Sequence, residues 1–438
     1  MKESFLKELH CPYCGSSFKL VSPLDICGED IIHGIVQCNC RKYPLVAGIL
    51  VLHALDLNAL NEALDKLEKG LFKSALLRLF EPLTDASRVI RAAKYRGMPL
   101  SARIEAMREK LMQRYLHRLL CADSFSGTVD YFKFISFGGY FKYRFSSTSF
   151  IAGIPLILLM RYFAGPILEI SCGMGHHGFV ISQLYPDRRI ALTDSSFVNL
   201  YLAKRFFVPQ AEYVCLNANE PLPFADQSFN SVFSSDSLHY LYSKKLAIEE
   251  MARVSQGHNA DIFLSHLHNL AGNDPVAGAP LTARGWLDLV SCRQVKLLPQ
   301  TKVFQDFLAE DKLDLAYDFE ERDIPPEGAF ALAAASQPGF FRVHTDLGAP
   351  FFNLRNHLAV NPLYQLSFRD SEVLLRKKWP SQFIQAENIT IDRVLPQELS
   401  LDKRFLERVI SGKTLESDAC HLSDLMKKFV LINVPVQY

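Results

Sequence analysis

Apolar positions change spacing several times along the chain, and each change marks a different kind of element. Leu55, Leu57, Leu60 and Leu64, then Leu67, Leu71, Leu76, Leu77 and Phe80, recur at three- and four-residue steps, which predicts amphipathic helices. Residues 125–150 are crowded with aromatics, among them Phe125, Tyr140, Phe141, Tyr143, Phe145 and Phe150, interrupted by Gly138, Gly139 and a Ser-Ser-Thr-Ser run. These breaks predict a packed but irregular segment. From Pro166 short apolar runs alternate with amphipathic stretches. The alternation predicts strands at 167–170, 189–193, 212–216, 229–234 and 261–266, with helices at 177–184, 197–207 and 244–254, hence a parallel sheet covered on both faces. Beyond Asn269 the pattern is weaker, with helices expected at 283–290, 301–309 and 415–428, a strand at 373–375 and a terminal apolar run at 430–434.

The 438 residues, 49% hydrophobic and 22% charged, exclude wholesale disorder and suit two or three folded units. A net charge of +1 provides no global field toward nucleic acid or anionic lipid. Charge is local instead. Residues 88–118 hold nine Lys/Arg and two acids, either a solvated helical face or a surface for RNA, an acidic substrate or a leader peptide. No apolar run reaches the roughly 18–20 residues of a membrane helix, and the first residues mix acids with bases unlike a signal peptide. A cytoplasmic protein is expected.

Of the ten cysteines, Cys11, Cys14, Cys38 and Cys40 form two short pairs separated by 23 residues. Two such pairs on tight turns can supply four thiolates to a tetrahedral zinc ion, a closed shell with no position for water and so a structural role. Cys27 and His33 are alternative ligands. With Tyr43-Pro-Leu-Val-Ala-Gly-Ile-Leu following, the first 45 or so residues resemble the small zinc ribbons attached to, or partnered with, bacterial and eukaryotic methyltransferases.

Leu168-Glu-Ile-Ser-Cys-Gly-Met-Gly-His-His-Gly178 follows a predicted strand and opens a predicted helix. Gly173, Gly175 and Gly178 satisfy the Gly-x-Gly-x-x-Gly fingerprint of dinucleotide sites, and Asp194 ends the next strand, where an acid receives ribose hydroxyls. Glu169 separates the cofactors: beside the loop it would repel a pyrophosphate but suits the cationic amino group of S-adenosylmethionine. The stretch resembles the class I methyltransferase family, whose first motif runs acid-x-Gly-x-Gly-x-Gly. Ser171 stands where the family has its first glycine, a change tolerated with ordinary backbone angles. The resemblance extends over about 105 residues (165–270) and implies cofactor contacts at Glu169, Ser171, Gly173, Gly175, Asp194, Asn217, Ala218 and Asp236, with Asn217 and Ala218 beside the adenine.

Methyl transfer is an in-line displacement at a sulfonium, so positioning dominates, and a base matters only for an acceptor that holds a proton. Candidates stand at the carboxyl ends of the strands: Asp236, His239 and Tyr240 after the fourth, and His266, His268 and Asn269 after the fifth, with His239, Tyr240 and His268 foremost. Tyr140, Tyr143 and Arg144 are candidate acceptor contacts.

The expected architecture is α/β, a Rossmann-like methyltransferase sheet (151–345) with an N-terminal zinc ribbon (1–52), a helical and aromatic segment (53–150) and a C-terminal α+β extension (346–438). Its acceptor is expected to be a small molecule or peptide of secondary metabolism. The alternatives are an RNA base, since zinc ribbons also resemble those of bacterial large-subunit rRNA guanine methyltransferases, and a silent cofactor-binding subunit. The ribbon's five Lys/Arg are matched by five acids, which disfavours phosphate binding there.

Overall fold

The computed structural model describes residues 1–53, 57–80, 110, 114, 117–131, 138–255, 257, 260–272, 278–290, 293–318 and 328–438. Most of the basic segment 88–118 lies outside the described residues.

Among the described residues, eighteen strands form one large sheet and three small ones. In chain order they are β1 (Lys19–Cys27), β2 (Asp30–Gln37), β3 (Lys42–Val46), β4 (Ile49–Val51), β5 (Ile167–Ile170), β6 (Ile190–Asp194), β7 (Glu212–Cys215), β8 (Ser231–Ser235), β9 (Asp261–His268), β10 (Gln294–Pro299), β11 (Lys312–Asp314) and β12 (Ala329–Ala335). The C-terminal set is β13 (Val343–Thr345), β14 (Leu358–Val360), β15 (Tyr364–Arg369), β16 (Glu372–Lys377), β17 (Glu398–Asp402) and β18 (Leu431–Asn433). The large sheet has eleven strands in the order β1-β2-β3-β4-β7-β6-β5-β8-β9-β12-β10. Its centre is parallel, as the alternation requires, and its carboxyl ends gather on one edge. A parallel centre is covered on both faces, which explains why every residue of β5 and β7 is buried.

Two features go beyond the expected parallel sheet. On one side β12 pairs antiparallel with β9, and β10 in turn pairs antiparallel with β12. On the other side the N-terminal strands join the same sheet, because β4 pairs in parallel with β7 through Ile49–Tyr213, Leu50–Val214 and Val51–Cys215. The fold is thus the expected Rossmann-like one, with the cysteine-bearing strands built into its edge.

The described residues between 125 and 151 are more helical than the glycines and serines suggest. They form short turns, Phe125–Tyr131, Gly138–Lys142, Arg144–Ser146 and Thr148–Ile151, the last capped by the Ser147 hydroxyl accepting from the Phe150 amide. The serines cap rather than break. The next helix, Ile154–Leu159, has all six residues buried and packs under the sheet as core. The predicted helix 197–207 is α only over Phe197–Leu202, then opens into a π turn over Ala203–Phe207. The region predicted as helix 415–428 begins as a 3-10 turn, Glu416–Asp418, and becomes α at Ala419–Lys427. Among the described residues no helix is long and apolar enough to cross a membrane.

Candidate functional site

The turn after β5 carries the glycine motif. The Cys172 amide donates to the Thr193 carbonyl at 2.9 Å, the Gly175 amide to the Cys172 carbonyl at 2.9 Å, and the Gly173 amide to Asp194 Oδ2 at 2.9 Å. Asp194 Oδ1 accepts from the Ser196 amide at 2.8 Å, so this one carboxylate clamps the glycine turn to the start of the following helix. Burial pushes its pKa up, against the pull of those amides. Ser171, a tolerable replacement for glycine if its backbone angles were ordinary, sits instead at φ 58°. A side chain there costs roughly 1–2 kcal/mol relative to the family's glycine, strain concentrated where the chain leaves the strand for the loop.

Gly178 is required for a different reason. A Cβ at this position would lie 2.9 Å from both Leu192 methyls and 3.0 Å from Glu169 Oε2. Gly178→Ala is expected to destabilise the protein by about 1–3 kcal/mol, seen as a lower denaturant midpoint, with weaker cofactor binding because Glu169 is displaced. An unchanged midpoint would show that Leu192 yields freely.

Glu169 is 2% exposed, its Oε2 has no hydrogen-bond partner, and His177 Nδ1 stands 4.0 Å from Oε1. Burial raises its pKa well above the usual range. A buried carboxylate oxygen without a partner is costly and is the feature that fits a cationic group of S-adenosylmethionine. Ala218 is buried as a flat adenine neighbour would be, but Asn217 is already engaged: its Oδ1 accepts from the amide and side chain of Asn219, and its Nδ2 donates to Glu220.

Past the ends of β8 and β9 a polar cluster centres on Asp236. Tyr140 donates to Oδ2 at 2.7 Å, and Arg144 contacts the same oxygen at 3.0 Å. On the other side His268 Nε2 lies 3.3 Å and His266 Nε2 3.9 Å from Oδ1. Burial alone would raise the Asp236 pKa, but His266, the hydrogen bond from His268, and Arg144 outweigh it and hold the carboxyl well below its ordinary value. Burial lowers His266 to about 4 and, with repulsion from His268, His239 to about 3. Asp236 and His266 both have positive φ, 56° and 53°, further strain at the same edge.

The structure therefore brings together His239, His268 and Asp236 from the candidate set, and draws Tyr140 and Arg144, expected as acceptor contacts, onto Asp236. Tyr143 is half-buried against the aromatic core, and Tyr240 stands at the mouth, 57% exposed, with its ring 4.0 Å from that of His239. Sequence reasoning missed Gln300, whose Oε1 is 2.7 Å from His266 Nδ1, and Trp286, whose Nε1 donates to the His268 carbonyl at 3.0 Å. It also missed the role of His176 and His177. Their Nε2 atoms donate to the carbonyls of Phe141 and Phe150 at 3.0 and 2.9 Å, fastening the aromatic segment over the glycine turn. His-His after a glycine motif was the available signal.

At the sheet's far edge the Sγ atoms of Cys11, Cys14, Cys38 and Cys40 lie within 4.8 Å of one another, with Cys38–Cys40 at 3.2 Å and Cys11–Cys40 at 3.6 Å. Ligands about 2.3 Å from a tetrahedral zinc stand about 3.8 Å apart, so these four can hold one. Tyr43 hydroxyl, 3.6 Å from Cys11 Sγ, is placed to support a thiolate. Cys27 and His33 are not in the group; His33 stacks on Phe72 at 4.9 Å.

Comparison with known proteins agrees with the geometry. Residues 167–257 match the family described as methyltransferase domain. Over 89 residues the chain is 29% identical to a malonyl-[acyl-carrier protein] O-methyltransferase of Legionella pneumophila, a stretch covering 20% of this chain and 31% of that protein. The chain thus spans under a third of this curated relative. Similar solved structures include geranyl diphosphate C-methyltransferase of Streptomyces coelicolor (14% identity, 41% of this chain, 74% of that one, TM-score 0.31) and the YcgJ protein of Bacillus subtilis (16%, 42%, 98%, 0.27). The matched segment, residues 167–257, is thus similar to a methyltransferase domain and contains the glycine turn, Asp194 and Asp236.

Proposed function

We propose that the whole chain is an S-adenosylmethionine-dependent methyltransferase acting on a small molecule or peptide, of the kind modified in natural-product pathways, with a structural zinc at the four cysteines. The observation that carries the acceptor class is the roof of the site. Residues 138–150 are fastened to the glycine turn by His176 and His177 and reach Asp236 through Tyr140 and Arg144, which favours an enclosed acceptor over a base presented on a polymer. The described cysteines are all free thiols, in keeping with a reducing cytoplasm.

The bound cofactor supplies a sulfonium methyl, electrophilic enough to need no further activation. Glu169 would hold its amino group, Asp194 its ribose, and the Gly173–Gly175 turn would let it approach the backbone. Asp236, His239 and His268 would face the acceptor's nucleophilic atom and promote loss of its proton. Tyr140 and Arg144 fix the Asp236 carboxylate from behind.

Incubation of the protein with methyl-labelled cofactor and fractionated metabolites, peptides and RNA tests this reading. Label is expected in a metabolite or peptide, insensitive to charge reversal at Arg91, Arg108 and Arg114. Tyr140→Ala should lower that turnover about tenfold, by removing one of the two donors that hold Asp236 Oδ2, with S-adenosylhomocysteine affinity nearly unchanged. Label entering RNA, lost between low and physiological salt and on the three reversals, would overturn the acceptor class. Absence of turnover on every fraction would favour the non-catalytic subunit.

A further inference from the structure

Asp236, His239 and His268 have features that a proton relay does not require. One ligand atom from each lies within 4.8 Å of the other two. His239 is 2% exposed and its Nδ1 has no hydrogen-bond partner. A buried, unpaired ring nitrogen is an expensive feature, and its residue belongs to the group of donors around Asp236. The ring of His268 stands edge-on to it, centroids 4.4 Å apart.

The surroundings resemble the outer shell of a metal site. Ligating groups are normally oriented by partners behind them. Here Tyr140 and Arg144 both hold Asp236 Oδ2, leaving Oδ1 turned to the histidines, while Trp286 pins the His268 carbonyl. Oδ1 and His268 Nε2 are 3.3 Å apart, the spacing of two donors each about 2.1 Å from one ion.

We infer that Asp236, His239 and His268 bind one divalent transition metal ion on the acceptor side of the methyl-transfer site. Two imidazoles and one carboxylate suit zinc, cobalt, nickel or iron(II) rather than magnesium or calcium, which prefer oxygen. Three protein ligands leave a position open, and the side chains of Asp236 and His268 keep 16% and 20% exposure through which an acceptor reaches it. Resting on the methyltransferase reading, the inference names an acceptor class: a molecule with an ionisable oxygen, such as a phenol or enol. Coordination lowers the affinity of that oxygen for its proton, which leaves to water. The oxygen then forms a bond to the methyl carbon as the carbon–sulfur bond breaks, and the electron pair departs on the neutral thioether.

Metal content of the full-length protein tests this. Wild-type protein saturated with zinc and desalted is expected to hold one equivalent more than His239→Gln or His268→Gln, with all three proteins binding S-adenosylhomocysteine alike. Equal metal content in wild type and variants would overturn the site. Should either variant fail to fold, cobalt titration of wild type carrying one zinc equivalent, at the four thiolates that bind it more tightly, decides: visible bands lacking thiolate charge-transfer support the site, and no bands refute it. Loss of S-adenosylhomocysteine binding by the wild type would instead sink the methyltransferase reading, whatever the metal count.

Discussion

Replacing Asp194 with alanine is expected to lower affinity for S-adenosylmethionine and S-adenosylhomocysteine roughly ten- to hundredfold. A charge-assisted acceptor for a ribose hydroxyl contributes on the order of 1.5–3 kcal/mol. The structure adds a second loss. Asp194 takes the Gly173 amide at 2.9 Å and the Ser196 amide at 2.8 Å, so its removal also leaves unpaired one amide of the glycine turn and one at the start of the helix Phe197–Leu202. Asp194→Asn keeps an acceptor oxygen and should lose less than Asp194→Ala. Calorimetric titration with S-adenosylhomocysteine reads both, and NAD is expected not to compete. Wild-type affinity in Asp194→Ala, or tight NAD binding, would remove the assigned role.

Stripping the four-cysteine site is expected to have the largest effect on stability. Zinc binding in small finger peptides carries an apparent 10–16 kcal/mol, and retention of even about 3 kcal/mol here would shift the melting temperature of a cooperative body of this size by roughly 3 °C. The reason for a global effect lies in the sheet. Cys38 and Cys40 sit between β2 and β3, whose continuation β4 is hydrogen-bonded to β7. The first cysteine pair is tied to the same body, through His10 N to the Pro223 carbonyl at 2.8 Å and through Tyr13 to Glu220. Cys14→Ser should therefore lower the melting temperature and soluble yield before it changes cofactor affinity. Protein purified without chelator that contains no zinc, or whose melting is indifferent to chelation, would refute this.

The central strands and their helices were legible because their cause is local. A parallel strand buried on both faces must be a short apolar run, as in Ile167–Ile170, and the helix between must be amphipathic, as in Lys244–Val254. The glycine motif was legible for a similar reason: its turn needs positive φ at Gly173 and Gly175 and admits few residue types. Strand β12, Ala-Phe-Ala-Leu-Ala-Ala-Ala, was not, since alanine has little strand preference and its place was set by β9 and β10 flanking it.

Cofactor class, the four thiols and the candidate acids and histidines were thus determined by the sequence alone, because motif chemistry depends on residue type at short spacing. What only the tertiary structure decided is which distant groups meet. Arg144 and Asp236 are 92 positions apart, Asp236 and His268 are 32, and Gln300 reaches His266 across 34. The partner that a buried charge or ring nitrogen finds is chosen by the crossing of strands and the docking of the aromatic roof. Ser171 makes the same point within one residue: its identity suggested ordinary backbone, and the demand of the strand-to-loop turn placed it at φ 58°. Backbone geometry there is dictated by hydrogen bonds that the Cys172 and Gly173 amides donate to Thr193 and Asp194 on the neighbouring strand, which no local pattern records.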